Sequence, residues 1–293
     1  MNDVYRLRLQ AREVFATHPP ILAYVFNWYG SVFNVLLLAY GLAYWKLFYV
    51  FLGVAGQILH YSIAANKAVL FSVPFMLIIS ASLKRWRARF GALIMWGLIG
   101  MIVVSVLMDV LLFKRPYVTA FAVVRVILMP GLLTADYYDF FSTHQWAYWS
   151  YSFLRYLIVY PYDREPPFLI GQIYFHNPAT SANANLWADG FANAGFVGVI
   201  LVSLVLGFIM WIYDSIMRNK PAVLGVLCLA LPSFLLSNAS LQTFMSTKGF
   251  ALLLLWLLFM PDPLKHQVGL RFSDREEITW SLQHSTRPKR SYT

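Results

Sequence analysis

Between Gln172 and Ile200 the chain reads QIYFHNPATSANANLWADGFANAGFVGVI, which gathers His176, Asn177, Asn183, Asn185 and Asp189 in one short stretch. An imidazole or a carboxylate can orient a hydroxyl or take its proton, which makes Asp189 and His176 candidates for acid–base work. Side-chain amides can donate to sugar hydroxyls, a role open to Asn183 and Asn185. Plainer roles stand beside these. Either asparagine suits the cap of a helix beginning near Trp187, and a single histidine in a loop is ordinarily just that.

Several cations and aromatics belong with this stretch. Arg6, Arg8, Lys67, Arg125 and Arg155 offer positive charge, and Tyr138 lies in the aromatic segment that follows Leu133. Guanidinium forks match phosphate oxygens, and aromatic faces pack on the apolar faces of sugars. Cations, aromatics and amides at a membrane surface suit a ligand with a diphosphate head, sugar rings and a lipid tail. Tyr and Trp are also general anchors at membrane interfaces, so most aromatics of the segment 137–160 need no ligand. Arg125 differs, because an arginine within the apolar series RVILMP needs a partner or a cavity.

The elements that must position these residues are apolar. Of the 293 residues, 59% are hydrophobic and 12% charged, and mean hydropathy is +0.59, a balance that marks an integral membrane protein. Runs that could cross a bilayer, which takes about 20 residues, lie at 21–44, 47–63, 68–83, 90–112, 191–213, 221–236 and 249–260. A weaker run, 117–133, contains Arg125 and is expected to line a cavity or lie on the rim. The expected fold is an all-α polytopic membrane protein with about seven to eight transmembrane helices. Its organisation is an amphipathic surface segment at 1–20, transmembrane helices over 21–133, a large loop at 134–190, further transmembrane helices over 191–260 and a charged tail at 261–293. The polar cluster should then sit at the membrane surface, over the mouth of a helical bundle.

Charge sets the expected orientation. Placing the basic turn Lys84–Arg89 in the cytoplasm puts Arg218 and Lys220 there too and leaves 117–190 outside. Arg6, Arg8, Arg12, Lys114 and Arg115 then fall outside, against the rule, as though held there by something anionic. The net charge of +10 is read as topology, not as nucleic-acid binding. One cysteine, Cys228, excludes a disulfide framework and a thiolate metal site. Scattered histidines, the lack of a DxD pair and the lack of a Gly-rich phosphate loop argue against metal- and nucleotide-dependent transfer; no metal and no cofactor is expected. No cleavable signal peptide is apparent.

In order along the chain, VYRLRLQAR, AANKAVLF, RVILMPG, ANANLWADGFANAGFVGVI and LSNASLQTFMSTKG resemble the bacterial oligosaccharide repeat-unit polymerases, the Wzy-type O-antigen polymerases. The resemblance extends to about Met260. It implies a GT-C-like helical bundle in the bacterial inner membrane, active at its periplasmic face, with Arg6, Arg8, Lys67, Arg125, His176, Asn183, Asn185 and Asp189 lining the site. It also implies undecaprenyl-diphosphate-linked oligosaccharides as substrates, membrane lipid as surroundings, and a chain-length regulator and a flippase as partners. Arg125 would face the donor diphosphate, and Asp189 or His176 would activate the acceptor hydroxyl. Family members carry several helices ahead of the VYRLR segment, so the chain is expected to lack amino-terminal helices. The rival expectations are an O-antigen ligase, which hands the glycan to a lipid A core, and a transporter or flippase of anionic lipid-linked sugars.

Overall fold

A computed structural model describes residues 19–261. Arg6, Arg8 and the tail therefore lie outside the described residues, as does nearly all of the expected surface segment. The described chain is all helical, with no strand. Five of its helices are long and apolar enough to cross a membrane: Pro20–Tyr44, Leu47–Ala64, Lys67–Phe113, Tyr117–Thr143 and Leu186–Met217.

Helix α1 (Pro20–Tyr44) ends at Trp45 and α2 (Leu47–Ala64) ends at Ala65. Both stops are left-handed residues, with φ of 58° and 51°, whose amides turn back to the carbonyls of Gly41 and Tyr61. The 47-residue element that follows is more than twice one crossing, and it is not a single rod. Trp86 (φ −136°, ψ 46°) and Arg89 (φ −111°, ψ 10°) leave the helical region, so α3 (Lys67–Trp86) is separated from α4 (Phe90–Met108, continued as a π-helical stretch Asp109–Phe113). Lys84 and Arg85 occupy the last turn of α3, where cations complement the helix dipole. Lys84 also donates to the Leu42 carbonyl at 2.7 Å and lies 3.4 Å from the centre of the Trp45 ring, which ties the two turns together.

Helix α5 (Tyr117–Thr143) is π-helical over Ala120–Leu128. It is capped by Asp109, whose two oxygens accept from the amides of Val118 and Thr119 at 2.8 and 2.7 Å. It runs ten residues past the expected start of the large loop at 134. The loop contains its own helix, α6 (Pro166–Phe175). The largest departure from the sequence reading is α7, spanning Leu186–Met217. In place of one straight helix through 191–213, the chain reverses at Ala194 and Gly195. Gly195 has φ 58° and ψ −144°, a conformation essentially reserved for glycine, and Trp146 covers it so closely that a Cβ there would lie 2.9 Å from the indole. The short first half folds back along the second: Trp187 Nε1 donates to Ser203 Oγ at 3.1 Å, and Gly190 lies against Gly198 and Val202. After α8 (Ala222–Leu236) come a five-residue helix α9 (Leu241–Met245) and a short apolar helix α10 (Phe250–Phe259).

Two cores result. One joins α1, α3, α7, α8, α9 and α10 through Leu38, Met76, Tyr213, Leu224, Leu231, Phe244 and Leu253. The other joins α5, α6 and the folded-back half of α7 through Leu133, Tyr137, Phe141, Ile170, Ala188 and Ala192. Removing a side chain such as Phe141 from the second core would cost about 3–5 kcal/mol. The outer faces are apolar instead of polar, and in the most apolar window of Lys67–Phe113 only 6% is buried. Ile94, Met95, Trp96, Leu98 and Val103 among others stand exposed on α4. Apolar surface of that extent is an association hazard in water and is the expected face toward hydrocarbon.

The reversal in α7 generates a paired prediction. A Cβ at Gly198 would collide with the Gly190 carbonyl, whereas one at Gly207 would meet nothing within 4 Å. Gly198→Ala should therefore lower stability by about 1–3 kcal/mol or more, while Gly207→Ala should be neutral, as checked by thermal denaturation in detergent. Equal melting of the two variants would contradict the folded-back geometry.

Candidate functional site

The folded-back half of α7 carries the carboxylate that the sequence singled out. Asn185 starts it: its Oδ1 accepts from the amides of Trp187 and Ala188, both at 3.0 Å, and its Nδ2 donates to Thr134 Oγ1 at 2.8 Å. Both ends of that amide are thus engaged within the fold, one as a helix cap and one as a clamp onto α5. Asn183 is exposed and accepts from Ser181 Oγ at 3.0 Å.

Asp189 is buried one turn into the half-helix, and its Oδ1 accepts a 2.6 Å hydrogen bond from the Tyr151 hydroxyl. Asn193, fully buried four residues on, completes the arrangement. Its Nδ2 donates to the Asp189 carbonyl at 2.7 Å and to the Tyr151 oxygen at 3.3 Å, while its Oδ1 accepts from the Trp149 amide at 2.6 Å. The proton count closes, because the phenol has one hydrogen, which goes to the carboxylate, and an oxygen that still accepts from the amide. Burial first, and then the Asp189 charge, push the Tyr151 phenol well above its ordinary value, so it stays protonated and donating through neutral pH. The end of the half-helix is closed by the same loop, with the amides of Ala147 and Tyr148 donating to the carbonyls of Ala192 and Asn193 at 2.9 and 3.1 Å. This arrangement leaves Asp189 Oδ2 as the oxygen with which to meet another hydroxyl.

Nearby, the Tyr174 hydroxyl donates to Asp139 at 2.6 Å. Burial, helped by that hydrogen bond and the Asp139 charge, raises its phenol to about 12. Tyr138 is exposed, its ring 4.9 Å from Phe191 and 6.2 Å from Phe196.

The expected cations divide into two groups. Arg155 is exposed in the loop, its guanidinium 4.7 Å from the Tyr156 ring centre and bonded to the Tyr156 hydroxyl at 2.5 Å. Lys67 sits at the first turn of α3 with its Nζ 5.4 Å from the centre of the Phe121 ring. Phe121 and Arg125 are four apart on α5, hence on one side of it. Tyr137, within electrostatic reach of Asp189, lies twelve residues beyond Arg125 on the same helix, on the order of 15 Å along the axis. The fold therefore brings Lys67 and Arg125 to one level and Asp189 to another. His176 is exposed in a left-handed conformation (φ 50°) at the end of α6, and no hydrogen bond or ring contact among the described residues joins it to Asp189. Among the described residues no three His, Cys, Asp or Glu side chains come together as metal ligands do.

Tyr151 and Asn193 were not singled out by sequence. Asn193 had a readable signal, its four-residue spacing from Asp189 on a helix; Tyr151, 38 residues upstream of Asp189, had none. No family model matches the chain, and no curated protein or solved structure does either.

The geometry makes Tyr151 the residue that holds Asp189 in place. Tyr151→Phe leaves a buried carboxylate oxygen without its donor and should destabilise the protein by about 1–3 kcal/mol. Asp189→Asn, which retains an acceptor for the phenol, should melt close to the parent. The comparison is read by thermal denaturation in detergent, and a Tyr151→Phe variant as stable as the parent would show that the bond is not formed.

Proposed function

We propose that this chain is a metal-independent membrane glycosyltransferase that polymerises undecaprenyl-diphosphate-linked oligosaccharide units at the periplasmic face of the bacterial inner membrane, as the resemblance to the Wzy-type polymerases implies. The observation that carries the proposal is the buried Asp189 carboxylate, held through Oδ1 by the Tyr151 hydroxyl, which Asn193 in turn holds in place. In the proposed reaction a hydroxyl of the acceptor unit attacks the anomeric carbon of the donor chain. The bond from that carbon to the diphosphate oxygen breaks, the lipid diphosphate leaves with the electron pair, and the hydroxyl proton passes to Asp189 Oδ2. Cations neutralise the charge that develops on the leaving diphosphate, and such electrostatic stabilisation commonly contributes more to the rate than any other single effect.

The separation of the cations fits a reaction with two lipid diphosphates. The donor diphosphate is bonded to the carbon under attack and must lie near Asp189, which assigns it to Arg155, four residues beyond Tyr151. The acceptor diphosphate is a whole oligosaccharide away from the attacking hydroxyl. Lys67 and Arg125, on the order of 15 Å along α5 from the carboxylate, suit that second head group, so Arg125 passes from the expected donor role to an acceptor role. Asn183, exposed on the loop, would donate to sugar hydroxyls, and Asn185 shapes the helix start.

The test is complementation of a strain lacking the gene, with polysaccharide run on a gel and normalised to membrane protein. Asp189→Asn and Arg155→Ala should leave single-unit products, whereas Arg125→Ala should shorten the ladder. A deletion strain with bare lipid A core would point to a ligase instead. Full-length ladders from Asp189→Asn would remove the carboxylate from the chemistry.

A further inference from the structure

The loop that supplies Tyr151 carries an apolar surface that the proposed transfer does not use. From Tyr151 to Tyr162 the chain reads YSFLRYLIVYPY, with no carboxylate and one cation, Arg155. Tyr156, Leu157 and Val159 are 82%, 82% and 91% exposed, and Phe153 and Ile158 are exposed beside them. The amide of Arg155 donates to the Ser152 carbonyl, and those of Leu157 and Ile158 donate to the Leu154 carbonyl, which winds the segment into helical turns. Phe153, Tyr156 and Leu157, spaced by three and four residues, then share one side of it.

Both ends of this segment are fastened. At one end Tyr151 donates to Asp189, and Ser150 is buried. At the other, the Tyr160 ring packs on those of Tyr151 and Tyr162 at 5.7 and 5.6 Å, and its hydroxyl donates to the Arg164 carbonyl at 2.7 Å. The apolar side chains of 153–159 are therefore turned outward by a loop that is tied down on either side of them.

The level of the loop follows from α7. The second half of that helix, residues 196–217, is about 33 Å long at its rise per residue, close to the ~30 Å of bilayer hydrocarbon. Phe196, Ile200, Leu204, Phe208 and Trp211 form an exposed apolar stripe along it, and Arg218 and Lys220 follow its far end. The stripe thus reaches up to the bend at Gly195. The loop is tied to that same bend, because Trp146 covers Gly195 and the amides of Ala147 and Tyr148 donate to the carbonyls of Ala192 and Asn193. Phe153 follows Trp146 by seven residues, so the segment leaves the fold where the apolar stripe ends.

We propose that the segment 153–159 is seated in the bilayer interface, with Phe153, Tyr156, Leu157 and Val159 among the acyl chains and the Arg155 guanidinium at the level of the lipid phosphates. Aromatic and aliphatic side chains on one side of a short turn, around a single cation, are the composition that lies in an interface. Arg155, packed over the Tyr156 ring at 4.7 Å, can reach phosphate while its stem stays among apolar groups. Seating the segment fixes Tyr151, and through it Asp189, at the membrane boundary, where the carboxylate meets molecules anchored in the bilayer. The inference holds whatever reaction the carboxylate serves, because lipid contact of the segment does not depend on the transfer.

The experiment uses the full chain in phosphatidylcholine liposomes, with Cys228→Ala removing the native thiol and a bimane label attached through Leu157→Cys. Leu204→Cys in the α7 stripe and Ala179→Cys, exposed elsewhere in the loop, carry the same label as references. Lipid brominated along its acyl chains should quench the label at position 157 severalfold, nearly as at 204, and leave that at 179 almost unchanged. Iodide in the water should quench in the reverse order. Adding Phe153→Asp puts a charge on the same turn and should lower the lipid quenching at 157 with little shift in thermal denaturation in detergent. Strong iodide quenching at 157 without lipid quenching would show that the segment lies in water, and protection from both quenchers would show that a second copy or another protein covers it. Either result overturns the proposal, and neither bears on Asp189, which complementation decides separately.

Discussion

The backbone contact between Gly190 and Gly198 is the constraint on which the candidate site depends. Only because neither residue has a side chain can the first half of α7 lie against the second. Only because it does so is Asp189 carried back from the start of an apolar helix and buried against the loop 147–151. The reversal needs a glycine at 195 for its dihedral angles and an indole, Trp146, to cover the bend. Four features of one short segment therefore act together: the cap at Asn185, the two helical glycines and the bend.

Burial of polar groups then organises the surroundings. A buried carboxylate without a cation beside it is tolerated only where hydrogen bonds compensate the lost water; Tyr151 gives its hydroxyl hydrogen to Asp189 Oδ1, and Asn193 gives both its side-chain hydrogens to the Tyr151 oxygen and the Asp189 backbone carbonyl. The cluster of Asn34, Gln57 and His60, where α1 crosses α2, follows the opposite pattern. There the side chains are as deeply buried, but Asn34 Nδ2 and Gln57 Oε1 meet no hydrogen-bond partner.

The two groups of cations show how a helix can act as a ruler. Arg125 and Tyr137 are on the same continuous α5, so their separation is set by helical rise and not by loop conformation. Lys67 lies over the Phe121 ring, one turn before Arg125, and Asn185 joins Thr134 further along. The positions of the charged and the carboxylate groups relative to each other are therefore fixed by the same element that closes the second core.

The apolar runs alone were enough to place the helices, because a segment of some 20 hydrophobic residues has few ways to satisfy its backbone other than as a helix. The capping role of Asn185 was also readable, since it depends on the few residues that follow it. The stops at Trp45 and Ala65 were visible only as gaps between runs, because neither is the glycine that normally marks a left-handed residue. Tertiary structure alone decided the rest. Nothing local in ANANLWADGFANAGF distinguishes a straight helix from one that doubles back, since the difference lies in which backbones touch after folding. Tyr151 became the partner of Asp189, Arg125 came to lie at a different level from it, and His60 became a deeply buried imidazole. Each of these outcomes depends on contacts between residues far apart in sequence, and periodicity and composition carry no information about such contacts.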